Sequence, residues 1–184
     1  MSKTKTLTIV TSNPGKLQEW QRLFPKEYKL ESAALDLVEI QHLDPVVVTK
    51  DKARRAYKKL RKPVIVDDVS AGLDELKGLP GTFMKYFEDA LGSSALFRLA
   101  GNKSATCFVT AVAAYYDGKN SLHGIGTVRG KVLDPKGKVG WGFDFVFVPD
   151  GHEQTYAQMG PEEKDKISHR RLAIEDLVRQ LNDL

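Results

Sequence analysis

Leu7-Thr-Ile-Val-Thr-Ser-Asn-Pro-Gly-Lys16 opens as an apolar run and breaks into a polar turn. Leu7 to Val10 has the length and composition of a buried strand. Asn13-Pro14-Gly15 turns the chain, and Pro14 suits the opening of a helix from Lys16 to Phe24. Leu17, Trp20, Leu23 and Phe24 recur at helical spacing, and Pro25 closes the element. A mixed stretch from Tyr28 to Leu37 reads as a second strand leading to Glu39. Thr49 to Leu60 reads as a helix with Ala53, Ala56, Tyr57 and Leu60 on one face. Pro63-Val-Ile-Val66 is a third strand, ending in Asp67-Asp68. The order β-α-β-α-β predicts an α/β fold.

The remainder adds strands of another kind. Gly78-Leu-Pro-Gly81 is a turn, and Phe83–Ala90 and Ser94–Leu99 read as helices. Thr106 to Tyr116 alternates like a strand, Asp117-Gly118 turns it, and Leu122 to Val132 returns as its hairpin partner. Val146 to Val148 is strand-like. Ser168 to Leu184 is an amphipathic helix, with Leu172, Ile174, Leu177, Val178 and Leu181 as its apolar positions and Ser168 placed to cap it. The expectation is one domain over residues 1–184: a mixed central β-sheet flanked by helices, elongated, with two lobes around a central cleft.

The chain has 184 residues, enough for one real core or two small lobes. Hydrophobic residues make up 41% and charged residues 28%, a globular composition. Lys3 and Lys5 precede an apolar run too short for a signal peptide. No apolar run approaches the ~20 residues of a membrane span. A cytoplasmic protein is expected, in keeping with a single cysteine, Cys107, read as a small buried hydrophobe. The net charge of +4 raises the question of a nucleic-acid partner. No segment interleaves basic and aromatic residues densely, and the most basic one, Arg54 to Lys62, reads as a charged helix face. No nucleic-acid partner is expected.

Two regions carry chemistry. Thr11-Ser-Asn-Pro-Gly-Lys16 joins a strand to a helix N-terminus, where backbone N–H groups and the helix dipole favour anions. Asp68 or Asp67, with Glu39 from another element, can hold magnesium together with waters and phosphate oxygens. Near the other end, Gly140-Trp-Gly-Phe-Asp144, Lys164 and His169-Arg170 supply aromatic faces, a carboxylate and cations, which suit a flat polar heterocycle. Phosphate grip and base grip together point to a nucleotide. Lys52 and Lys85 lie on helical segments, and spacing alone favours reading each as a surface residue.

Several short motifs in register resemble the inosine triphosphate pyrophosphatase family, the Ham1-like non-standard purine NTP pyrophosphatases. They are Thr11-Ser-Asn-Pro-Gly-Lys16, Val66-Asp-Asp68, Gly78-Leu-Pro-Gly81 with Lys85-Tyr-Phe87, Gly142-Phe-Asp144, Pro149-Asp-Gly151, Gln154-Thr-Tyr-Ala157 and Ile167-Ser-His-Arg170. The resemblance covers nearly the whole chain. It implies that Thr11, Ser12, Asn13 and Lys16 hold the triphosphate, with Lys52 and Lys85 helping. It implies that Glu39 and Asp68 bind Mg2+, and that Asp68 is the general base. Phe143 would stack on the base, with Trp141, Gly142, Asp144, Lys164, His169 and Arg170 lining its pocket. Further implications are a homodimer and the hydrolysis of ITP, dITP and XTP to monophosphate and pyrophosphate. Donors facing the 6-keto oxygen would reject adenine, because a buried polar group without its partner costs about 1–3 kcal/mol.

The sequence departs from the family pattern at several positions. Asp67 stands for a glutamate, Val69 for a serine or threonine, Phe145 for a proline, Gln158 for a glutamate and Lys77 for a glycine. Two alternatives therefore stay open: a pyrophosphatase of relaxed or shifted specificity, and a nucleotide- or RNA-binding protein without turnover.

Overall fold

The computed structural model describes residues 5–184; Lys3 lies outside the described residues. Its first half follows the β-α-β-α-β order. Strand β1 (Thr6–Val10) leads through Asn13 into helix α1 (Pro14–Leu23). The Asn13 side chain caps the helix by accepting from Lys16 N, with Pro14 in the first turn. Trp20 and Phe24 turn inward from α1 and are buried. Strand β2 (Lys29–Ala33) runs parallel to β1, Thr6 opposite Lys29 through Val10 opposite Ala33. It stops four residues short of the expected end at Leu37. Leu35 and Leu37 nevertheless pack on the core from irregular backbone.

Helix α2 (Pro45–Leu60) begins four residues earlier than its apolar periodicity indicates. Asp44 caps it by accepting from Val46 N at 2.8 Å, and Pro45 opens it. The β-branched run Val46-Val-Val48 looks strand-like and hides this start. Strand β3 (Val64–Leu73) lies parallel to β1, with Thr8 opposite Val64 and Ile9 opposite Ile65. It does not end at Val66 as expected. Asp67 and Asp68 are therefore mid-strand residues, because Ser70, Ala71 and Leu73 continue the buried run.

The turn at Gly78–Gly81 contains a two-residue strand, β4 (Pro80–Gly81), antiparallel to β3. Helices α3 (Met84–Leu91) and α4 (Ala95–Leu99) precede the hairpin of β5 (Ala105–Tyr116) and β6 (Ser121–Val132). Strand β7 (Phe147–Pro149) pairs antiparallel with β6, Gly130 opposite Pro149. The seven strands form one mixed sheet in the order β2-β1-β3-β5-β6-β7, with β4 on β3. Helices α5 (Tyr156–Ile167) and α6 (His169–Asn182) complete the fold. On α6, Ala173, Ile174, Leu177 and Leu181 are buried, while Leu172 is exposed, so the apolar face is offset from the expected one.

The chain forms two compact units. The first holds residues up to Asp68, 111–126 and 170–184; the second holds 69–110 and 127–169. A core in the first unit gathers Val10, Ala53, Ala56, Val64, Val66 and Ala114. The second has its own core, with Leu73, Leu96, Cys107, Val109, Phe143 and Phe147 among its members. Cys107 is fully buried there, as expected, and burial pushes its thiol up to about 12.

Candidate active site

In the first unit the polar loop after β1 is shaped by its own side chains. Thr11 Oγ1 accepts from Asn13 N at 3.1 Å, and Asn13 Oδ1 accepts from Lys16 N at 3.1 Å. Ser12 is exposed. Lys16 starts α1 and reaches β3, where its ammonium lies 3.2 Å from Asp67 Oδ1 and donates to the Asp67 carbonyl at 3.3 Å.

Asp67 is buried and shared between two cations. Its Oδ2 accepts from Arg170 Nε at 2.7 Å, and the Arg170 Nη1 group is bonded to Glu19 of α1. Burial alone would raise the Asp67 carboxyl, but Lys16 and Arg170 outweigh it and hold the group far below the usual carboxylate range. Asp67, Arg170 and Glu19 are all nearly inaccessible. Four charges are thus brought together from α1, β3 and α6 and balance in sign. Sequence reading missed Glu19, because nothing in the spacing of Glu19 and Arg170 ties positions 151 residues apart.

Adjacent strand residues point to opposite faces, and Asp68 has a different environment. Burial raises its carboxyl above the ordinary value, with Glu39 and Asp67 adding to the rise and Lys16 and Lys52 opposing it. Glu39 stands in the irregular segment after β2 and is ion-paired with Lys52 of α2. Burial would lower the Lys52 ammonium, yet Asp68, Glu39 and Asp67 together raise it, so it stays protonated. Glu39, Lys52, Asp68 and Lys16 therefore form one interacting group. The oxygen-only pair Glu39 and Asp68 fits a hard divalent cation, since each carboxylate disfavours ionisation of the other and a cation relieves this. Among the described residues no cluster of three or more His, Cys, Asp or Glu side chains is arranged for a metal ion.

In the second unit a single-turn helix (Gly142–Phe145) carries the base-site candidates. Gly142 has φ +55°, and a side chain there would meet the Glu88 carboxylate of α3. Trp141 N donates to Asp144 Oδ2 at 3.2 Å, tying off the turn. Lys164 donates to both Asp144 oxygens, at 2.9 and 2.7 Å, in a buried pair. Its ammonium also lies 5.5 Å from the Trp141 ring centroid and 5.3 Å from that of Tyr156.

Around this pair stands an aromatic group. The Phe143 ring is 5.7 Å from His169 and 6.3 Å from Phe147, and Tyr156 stacks on His169 at 6.1 Å. Phe143, expected to offer a stacking face, is only 4% exposed; Trp141 is the half-buried ring. The structure thus brings together Trp141, Gly142, Phe143, Asp144, Lys164 and His169. Arg170 belongs to the first unit, on Asp67 and Glu19. Lys85 is exposed on α3 of the second unit. Tyr156 and Glu88 were assigned no role from sequence. Tyr156 sits inside a quoted motif, which was the available signal; Glu88 carried none.

Comparisons with known proteins bear on the family and the fold. The sequence model of the Ham1 family matches residues 7–180. The chain is 40% identical over 177 residues to an inosine triphosphate pyrophosphatase of Yarrowia lipolytica, covering 94% of this chain and 93% of the relative. Against one from Pyricularia oryzae it is 37% identical, covering 94% and 92%. Among solved structures, a HAM1 protein from Coxiella burnetii superposes with a TM-score of 0.82 at 25% identity, covering 98% of this chain and all of that one. The Ham1 protein of Staphylococcus aureus gives 0.78 at 26% identity, covering 97% and 99%.

Proposed function

This chain belongs to the Ham1 family, and we propose that it hydrolyses deaminated purine nucleoside triphosphates (ITP, dITP and XTP) to the monophosphate and pyrophosphate. The observation that carries the chemistry is Asp68, a carboxylate with a raised pKa grouped with Glu39, Lys16 and Lys52. The names of the relatives, inosine triphosphate pyrophosphatase, support the substrate class.

In this reading the backbone N–H groups of the Thr11–Lys16 loop, with Ser12 and Lys16, receive the triphosphate. Lys52 and Lys85 add positive charge. Asp68 takes a proton from water as the water oxygen bonds to the α-phosphorus. The bond from that phosphorus to the α–β bridging oxygen breaks, and pyrophosphate leaves. A carboxylate with a raised pKa is a better proton acceptor near neutrality than an ordinary one. Glu39 and Asp68 are the residues that would hold magnesium, which when bound neutralises phosphate charge and eases deprotonation of water.

Base selection falls to Trp141, Gly142, Phe143, Asp144, Lys164 and His169. The Lys164–Asp144 pair sets a donor and an acceptor beside the aromatic group, and a keto oxygen satisfies donors that an adenine amino group leaves facing another donor. Asp67, held ionised by Lys16 and Arg170, orients the Lys16 ammonium. Arg170 holds Asp67 and Glu19 within the first unit. We place the protein in the cytoplasm as a homodimer, acting on a nucleotide and on no nucleic acid.

The test is turnover of ITP, XTP, dITP, ATP and GTP with magnesium, resolving monophosphate from diphosphate, with Asp68→Asn alongside. The expected result is monophosphate and pyrophosphate from the keto purines far faster than from ATP. Asp68→Asn should lower kcat by about 10²–10⁴-fold. Equal rates on all purines would move specificity to the relaxed alternative, and near-normal Asp68→Asn rates would remove Asp68 from its role.

A further inference from the structure

The Lys52–Glu39 pair has a consequence for how a metal ion can enter the site. The Lys52 side chain is 15% exposed and that of Glu39 35%, so this pair is partly withdrawn from water, unlike the surface pairs Lys166–Glu163 or Lys29–Glu31. Its ammonium sits against one of the two carboxylates that fit a divalent cation and within the field of the other. Lys16 is held differently, on the Asp67 side chain and carbonyl. A cation seated on Glu39 must therefore contend with the Lys52 ammonium.

We propose that Lys52 is a displaceable internal counter-ion that occupies Glu39 in the nucleotide-free protein and competes with the divalent cation for it. This rests on the reading of Glu39 and Asp68 as metal ligands. Two carboxylates alone are a sparse donor set for magnesium, which keeps several waters and takes the rest of its shell from substrate phosphates. With one of the two already neutralised by lysine, the free protein binds metal weakly. The metal arrives with the triphosphate, whose own charge provides the released ammonium with a new partner. Lys52 thereby couples metal entry to substrate entry, which keeps a charged metal–carboxylate site from forming without a nucleotide.

The test is Mn2+ binding to the nucleotide-free protein, followed by the electron paramagnetic resonance signal of the free ion. Lys52→Met should bind Mn2+ about tenfold more tightly than the unaltered protein. Lys52→Arg, which keeps the charge, should not. Lys16→Met, which removes a nearby cation not paired with Glu39, should gain distinctly less. In Lys52→Met combined with Glu39→Gln the gain should vanish. The proposal is overturned if Lys52→Met gains nothing, if Lys16→Met gains as much, or if the gain survives Glu39→Gln. ITP turnover by the unaltered protein is measured on the same preparation. Its absence would sink the pyrophosphatase reading, whereas the Mn2+ titration judges Lys52 by itself.

Discussion

Replacing Asp67 by asparagine leaves Lys16 and Arg170 facing a neutral group in a buried setting. Breaking a buried pair by removing one partner costs about 3–5 kcal/mol, because the remaining charge stays desolvated. Asp67→Asn should therefore lower the urea midpoint strongly, in contrast to Asp68→Asn. The pH dependence has a definite sign. The folded Asp67 carboxyl lies below its unfolded value, so the unfolded chain binds its proton first. The stabilisation is fully present above an unfolded pKa of about 4 and fades as the pH falls below it. Urea melts of the two proteins at pH 7 and pH 3 measure this, and the gap in stability should narrow at the lower pH. A constant gap would mean that Asp67 acts through packing alone. The two aspartates were legible in the sequence as a pair. Spacing alone left open which one stands with Glu39, a place the family resemblance gives to Asp68; that Asp67 is held by Arg170, itself tied to Glu19, was not legible, because these residues lie far from it along the chain.

At the scale of elements, turn and cap residues were the readable signals and apolar periodicity the misleading one. Asn13-Pro14 marks the start of α1 in sequence and in structure. Asp44-Pro45 does the same for α2, but the valine run behind it masks the helix. Helix α5 was not foreseen, and it contains Gly160-Pro161, a pair of the kind that breaks a helix. It is a break: Gly160 has φ +76° and kinks the element, and the chain resumes its helix beyond. The sequence did contain its start, Thr155 and Gln158 three residues apart, which cap each other's backbone. Thr155 also donates to the Lys136 carbonyl at 2.9 Å, fixing the loop that precedes the base-site turn. Since α5 carries Lys164 to Asp144, Thr155→Ala should cost about 1–2 kcal/mol. It should also raise KM for ITP more than it lowers kcat. Thermal melts and initial rates read the two effects, and an unchanged KM would detach the cap from the site.

For the whole molecule, the sequence reading held where it relied on motif order and strand alternation. The mixed sheet, the hairpin and the Ham1 family all follow from those features. The division into two units with separate cores was not readable in detail, because its boundaries fall inside β3, β5, β6 and α6 rather than in linkers. In the basic segment Arg54–Lys62, Arg55 pairs with Asp51, Lys59 donates to the Asp36 carbonyl, and Lys62 lies near Glu31. The proposed chemistry centres on the carboxylate and lysine group of the first unit, with water attacking the α-phosphorus. Hydrolysis of ITP in oxygen-18 water, with mass analysis of both products, tests that claim most directly. Inosine monophosphate should carry the heavy oxygen and pyrophosphate should not. Label in the pyrophosphate, or release of inosine diphosphate and phosphate, would contradict it.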